Sequence, residues 1–288
     1  MLAPPQKHAA LGLRHPGCAQ AVCAAVVVAC CGETPRTLIP GCDTDSCAAL
    51  GTRAPPPLIV GIAGGSGCGK TTLANRVVGL VGSGVAVIST DDYYRTLNEE
   101  DHRRALEGEI NFDRPEALAF DHLLKDLSMM KSPHTQWPMM LPSYDFVFHQ
   151  RTDASVPLTR PRAILVEGLF VLSSAEIREL LDVRLFARDD VDTCLVQRLR
   201  RDVDERNIAV AVALAQYERY VKPAFDAIVN PSSVHADLVI PNATRNVPAA
   251  EVVAGWILNR TMPVGTRCQA NAISEFGKAT CSEFGIVA

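Results

Sequence analysis

The sequence predicts an α/β fold, a doubly wound parallel sheet with helices on both faces, and three observations carry that prediction. Short apolar runs alternate with stretches of helical period from about residue 57 to 262. The first run leads into a glycine-rich turn, Gly64 to Thr72, that fills every fixed position of G-x-x-x-x-G-K-[ST]. Two later apolar runs are followed by carboxylates, Asp91 and Glu167. In such sheets a ligand sits beyond the carboxyl ends of the strands, so the glycine turn and the two acids are expected at one place.

Taken in order, Pro57-Leu-Ile-Val-Gly-Ile-Ala63 is short, apolar and bounded by turn residues, which predicts a buried strand. Thr72 to Leu80 has helical spacing of its apolar residues. Val85-Ala-Val-Ile-Ser-Thr90 is the second strand, with Asp91-Asp92-Tyr93-Tyr94 directly after it. Further strands are expected over Ala163–Val166, Val183–Ala187 and Asp237–Ile240. Helices are expected over Val191–Arg206, Val210–Ala227 and Ala249–Leu258.

The turn has the composition of a phosphate cradle, a P-loop. Gly64, Gly65, Gly67 and Gly69 let backbone N–H groups approach an anion that a side chain would keep away. Ser66, Cys68 and Thr72 complete the loop, and the helix behind it turns its positive end toward the phosphates. Lys70 has the reach for β- and γ-phosphates, and is expected in the loop, outside the core. Thr71 can place its hydroxyl on Mg²⁺, with Asp91 and Glu167 as the carboxylates beside it. One carboxylate would hold the metal and the other would take a proton from an attacking hydroxyl. Asp92 has an equal claim as a simple helix cap.

Four arginines, Arg198, Arg200, Arg201 and Arg206, crowd the stretch Val196 to Arg206. Arg198 and Arg201 share a helix face. On a helical lid they would close over phosphates and meet charge in the transition state. The bland alternative is a solvated face balanced by Asp202, Asp204 and Glu205.

The net charge of −4 gives no reason to expect a nucleic-acid surface or an anionic membrane partner. No apolar run reaches the roughly 18 residues of a membrane span. Residues 1–55 stand apart as a leader rich in Cys, Ala and Pro, with Cys18, Cys23, Cys30, Cys31, Cys42 and Cys47 but no C-x-x-C pair. A disordered extension is expected there, with a targeting segment as the alternative. A single globular domain is expected over 56–262, and a disordered tail over 263–288 in which Ser-Glu-Phe-Gly occurs twice.

The ordered blocks resemble the uridine–cytidine kinase family. They are the P-loop, Ile88–Tyr94, Asn111–Glu116, Pro142–Arg151, Glu167–Phe170, Arg201–Arg206, Gln216–Phe225 and Ala236–Pro241. Each block alone is weak, the P-loop excepted; their joint order is specific. The resemblance implies a P-loop NTPase-type sheet with a small β insertion and an arginine-bearing helical lid. It implies ATP or GTP as donor, Mg²⁺, a pyrimidine nucleoside as acceptor, a role in pyrimidine salvage in the cytoplasm, and a homotetramer. It implies that Asp91 activates the ribose 5′-hydroxyl and that Asp113 holds the ribose hydroxyls. Tyr144, Phe146 and His149 would grip the pyrimidine, and Gln216 would add an acceptor contact. Arg198, Arg201 and Arg206 would be the lid and acceptor-side arginines.

One departure stands out. The family has Glu-Arg-Gly-Arg at the lid turn, where this chain has Glu205-Arg206-Asn207-Ile208. Asn tolerates a left-handed backbone and can replace the glycine. Ile208 cannot replace a guanidinium, which raises the prospect of a slow or non-catalytic nucleotide-binding homologue. A kinase with a phosphoribulokinase-like or nicotinamide riboside kinase-like acceptor competes with both readings. A guanine switch is disfavoured, since no Asn-Lys-x-Asp motif occurs.

Overall fold

In the computed structural model, the described residues are 55–261, apart from 147, 153 and 154. The leader and tail expectations lie outside them. The main sheet has five parallel strands, β1 (Leu58–Gly64), β2 (Val85–Ser89), β7 (Ala163–Glu167), β8 (Val183–Arg188) and β9 (Leu238–Pro241). Their order across the sheet is β2-β7-β1-β8-β9. From β1 the chain runs to the edge strand β2, returns to β7 between the two, and then crosses to β8 and β9 on the other side, so the end of β1 is the switch point where a ligand crevice is expected.

Both faces of the sheet are covered, because the strands carry apolar residues at consecutive positions and not in alternation. Ile59 and Ala63 of β1 and Ile164 and Val166 of β7 face one core. Val60 and Ile62, with Ala163 and Leu165, face the other. Helix α1 (Lys70–Val81) and the last helix, α8 (Val247–Thr261), cover the second face through Leu73, Val77, Val253 and Ile257. Helices α3 (Phe120–Lys131) and α4 (Ala175–Leu180) cover the first through Leu123, Leu127, Met130 and Ile177. Neither α3 nor α4, nor the short α2 (Glu99–Leu106), is among the elements expected from sequence.

Between α3 and β7 lies the small β insertion. Strand β3 (Met139–Leu141) pairs antiparallel with β6 (Val156–Leu158), and β4 (Tyr144–Asp145) with β5 (Gln150–Arg151). Helix α5 (Val191–Asp204) carries the arginines, and α6 (Val210–Gln216) follows it. The single helix expected over 210–227 is instead irregular. Beyond α6 come π-helical turns at Tyr217–Val221 and Phe225–Val229, separated by the short α7 (Lys222–Ala224). Pro223 has no N–H to continue an α-helical ladder, a local reason for the change of pitch. Among the described residues no helix is long and apolar enough to cross a membrane.

Candidate active site

The phosphate loop leaves β1 at Gly64 and enters α1 at Lys70. Gly67 and Gly69 have φ of 79° and 89°, where an L side chain is strained. A Cβ at Gly67 would lie 2.2 Å from the Cys194 carbonyl oxygen, so the loop is pressed against α5. Cys68 is 1% exposed with its side chain in the core, leaving only its backbone for a ligand. Lys70 differs from expectation. It opens the helix and is buried, its Nζ donating to the Gly65 carbonyl at 2.8 Å. The loop curls back over its own helix, which is what covers the lysine.

Glu167 and Asp91 come together at the adjacent strand ends. Glu167, the last residue of β7, is buried and accepts from Thr71 Oγ1 at 3.1 Å and Ser89 Oγ at 3.2 Å. Burial pushes its carboxyl above the usual range, and Lys70 opposes that shift. Asp91 stands in a 3₁₀ turn (Thr90–Tyr93) capped by Ser89, whose Oγ accepts the Asp91 N–H at 3.3 Å. The turn packs closely on the end of β7: a Cβ on Gly168 would fall 1.8 Å from Thr90 Oγ1. Asp92 points elsewhere and accepts the Tyr144 N–H; burial first, then the charge of Asp91, pushes its carboxyl up to about 7.

Thr71, Asp91 and Glu167 are hard oxygen donors. Among the described residues no group of three or more His, Cys, Asp or Glu is placed to hold a metal ion. The three oxygen donors fit Mg²⁺, which takes one or two carboxylates from the protein and completes its octahedron with phosphate and water.

The arginines are not a solvated face. Arg198 is 8% exposed and Asp202 is 0% exposed. Asp202 pairs with Arg198 at 3.2 Å, Arg201 at 3.1 Å and Arg206 at 3.3 Å. Arg198 and Arg201 also donate to Ser66 Oγ, at 2.9 and 3.4 Å, which ties the cluster to the phosphate loop. Arg200 is exposed on the same helix. Asn207 has φ 55°, the left-handed turn expected of it, and the Ile208 N–H donates to the Asp202 carbonyl at 2.9 Å.

The acceptor side meets the arginines from the other flank. Asp113 is half-buried in a turn in which its N–H donates to Asn111 Oδ1 at 2.9 Å. Burial pushes its carboxyl up, while Arg198 and Arg201 pull it down. Next to it, aromatic rings form a box. Tyr94 stands edge-on to Phe112 at 5.5 Å and to Phe146 at 6.4 Å, and tilts on Tyr144 at 5.4 Å. His149 stacks on Phe112 at 4.9 Å, and Arg206 lies 4.8 Å over the Phe146 ring. Burial, and then the charge of His102 and Arg206, lowers the His149 pKa below the ordinary histidine value.

Tyr144 and Phe146 do not line one continuous strand, because β4 ends at Asp145 and the chain turns there. Their rings touch at 5.3 Å, and Tyr144 is as buried as a core residue. Its hydroxyl is also buried and has no hydrogen-bond partner among the described residues, an arrangement uncommon without a ligand or water to complete it. Gln216 packs on Gly108, where a Cβ would lie 3.0 Å from its Nε2. Tyr94 and Phe112 join this cluster without being named as candidates from the sequence, although Phe112 directly precedes Asp113 and Tyr94 lies three residues after Asp91.

Fold and site together define a P-loop protein whose phosphate loop is tied by the arginines of α5, and through Arg206, to a cluster of aromatic rings near Asp91 and Asp113. The chain belongs to the phosphoribulokinase / uridine kinase family, whose sequence model matches residues 59–248. Uridine-cytidine kinase B of Dictyostelium discoideum is 35% identical over 71% of this chain and 82% of its own length. Uridine kinase-like protein 5 of Arabidopsis thaliana is 34% identical over 70% of this chain, but the match spans only 42% of that longer protein. In fold, the chain is similar to the crystal structure of a proposed fructose transport system kinase from Silicibacter sp. TM1040. The TM-score is 0.50 at 22% identity, over 68% of this chain and 95% of that one.

Proposed function

We propose that the protein transfers the terminal phosphoryl group of ATP or GTP to the 5′-hydroxyl of uridine or cytidine, giving UMP or CMP. The observation that carries this reading is the aromatic box with its unpartnered Tyr144 hydroxyl, with Asp113 near Tyr94 and Arg206 over the Phe146 ring. A pyrimidine is flat and polar at its edge, and such a box suits it. A sugar phosphate has no use for five rings. The named uridine–cytidine kinase relatives favour the same substrate class.

The residues divide the work. Lys70 and the loop N–H groups orient the donor phosphates. Thr71, Asp91 and Glu167 would hold Mg²⁺, which supplies charge neutralisation across the phosphates when bound. Asp91 takes the proton of the 5′-hydroxyl, Asp113 holds the ribose diol, and Tyr144, Phe146 and His149 hold the base. Gln216 supports the acceptor side from α6. Arg198, Arg201 and Arg206 meet charge developing on the transferred group. On this reading the chain acts in pyrimidine salvage, and as a homo-oligomer by the resemblance.

The test is UMP formation from ATP and uridine by the full chain, with ribulose 5-phosphate and nicotinamide riboside as rival acceptors. Turnover of a rival alone would overturn the nucleoside assignment. Two variants refine it. Asp113→Asn raises the uridine KM by about 10–100-fold with a smaller change in kcat, because a charged acceptor of two hydroxyl protons is weakened to a neutral one. A kcat loss at unchanged KM would place Asp113 with the reacting atoms instead. Ile208→Arg raises kcat by about 10-fold, since it restores a guanidinium near the lid turn, while exposed Arg200 offers no substitute. Steady-state rates at saturating ATP and uridine decide it, and equal rates mean the existing three arginines suffice.

A further inference from the structure

Asp202, by its sequence neighbourhood an ordinary counter-charge, is the hub of the arginine cluster. It has no solvent exposure, whereas Asp204 and Glu205, the other acids of the segment, are exposed. We propose that Asp202 is a positioning residue: it gathers Arg198, Arg201 and Arg206 at the phosphate loop before any nucleotide arrives. This rests on the phosphoryl-transfer reading of the same site.

The geometry shows how one residue does this. Arg198 lies one turn before Asp202 on α5, and its Nε is 3.2 Å from Oδ2, an ion pair whose angle makes no hydrogen bond. Arg201 and Arg206 share Oδ1, at 3.1 and 3.3 Å. Arg206 lies just past the end of the helix, four residues after Asp202, and the helical path continued through Glu205 brings it over the carboxylate. The left-handed turn at Asn207 then ends that path, and the Asp202 carbonyl closes the turn on the Ile208 N–H. The side chain of Asp202 therefore holds the guanidiniums, and its backbone closes the turn that directly follows the third. From the hub, contacts run to Ser66 of the cradle through Arg198 and Arg201, and to Phe146 of the aromatic box through Arg206.

Three like charges on nine residues repel, and Arg201 and Arg206, at 33% and 28% side-chain exposure, have open routes to water. Among the described residues, the other acids facing them are Asp113 and Asp91, which belong to the acceptor side. Without the central carboxylate the arginines disperse, and a bound polyphosphate must collect them again. Preorganised donors avoid that reorganisation.

Calorimetric titration of the full chain with inorganic tripolyphosphate tests this directly. It needs no acceptor, so a protein that phosphorylates no nucleoside overturns the proposed function and leaves this measurement standing. Asp202→Asn binds tripolyphosphate about 10-fold more weakly than wild type, and Asp202→Glu, which keeps the charge, stays within about 3-fold. The comparison is made at a temperature where circular dichroism shows each protein folded, so a purely structural role leaves affinity unchanged. Binding by Asp202→Asn as tight as wild type, or tighter, overturns the proposal. Should that variant not fold, Arg201→Gln is compared with Arg201→Gln/Asp202→Asn, which relieves one like charge. Equal affinity there, or a double variant that still fails to fold, assigns Asp202 to stability alone and overturns the proposal.

Discussion

Lys70→Ala lowers phosphoryl transfer by about 1,000-fold or more, the upper range for removing one electrostatic donor at a developing charge. The ammonium is held at 2.8 Å by the Gly65 carbonyl, inside the cradle that receives the phosphates. Only 9% of the residue is exposed, so it is already desolvated and its charge acts in a medium that screens it weakly. The substitution also removes a buried aliphatic stem at the start of α1, and a modest fall in thermal stability accompanies the loss of activity. The two effects separate by experiment. Circular dichroism melts report the fold, and turnover with saturating ATP and uridine, below the melting range, reports the chemistry. Near-normal turnover in a folded variant would rule out this loop as the donor site.

Asp91→Asn lowers kcat by about 100–10,000-fold with little change in the uridine KM, the range for losing a positioned general base. The amide has the carboxylate's shape and keeps a hydrogen bond to the 5′-hydroxyl, but it cannot take the proton. Asp91 sits in a short capped turn and not inside a long element, so the change leaves the fold intact. Its electrostatic neighbours among the acids are Glu167 and Asp113, which the proposed reading assigns to the metal and the ribose. The pairing with Asp113→Asn is what makes the assignment sharp. One variant moves kcat and the other KM. The reverse pattern would mean that the base and the ribose ligand are exchanged, and a Glu167→Gln variant with the Asp91 phenotype would place the base on β7 instead.

Much of this is legible in the sequence because it is local. The strand before the phosphate loop, the helix behind it and the acids after β2 and β7 each follow from a few neighbouring residues. A P-loop is a backbone conformation, and its glycines declare it wherever they occur in this context. The left-handed residue at Asn207 is legible for the same reason. The helices α3 and α4 are harder to read. Phe120 to Lys131 carries Leu123, Leu127 and Met130 at helical spacing, but lies in a long connection where no motif marks it. The π turns at 217–229 are not legible, since a change in helical pitch depends on how the segment is packed as much as on its composition.

What the sequence by itself determined was the parallel sheet, the place of the phosphate cradle and the chemical types gathered at its mouth. Those follow from periodicity and from turn residues, which act over one or two turns of chain. Only the tertiary structure decided which charges are buried together. Asp202 has the sequence neighbourhood of a surface acid, with Arg201 before it and Asp204 and Glu205 after it. Helical spacing brings the guanidiniums to its carboxylate, but it became a fully buried hub because α5 packs on the phosphate loop. Burial of a charge depends on what covers it from distant segments, and helical spacing along one segment carries no record of that cover.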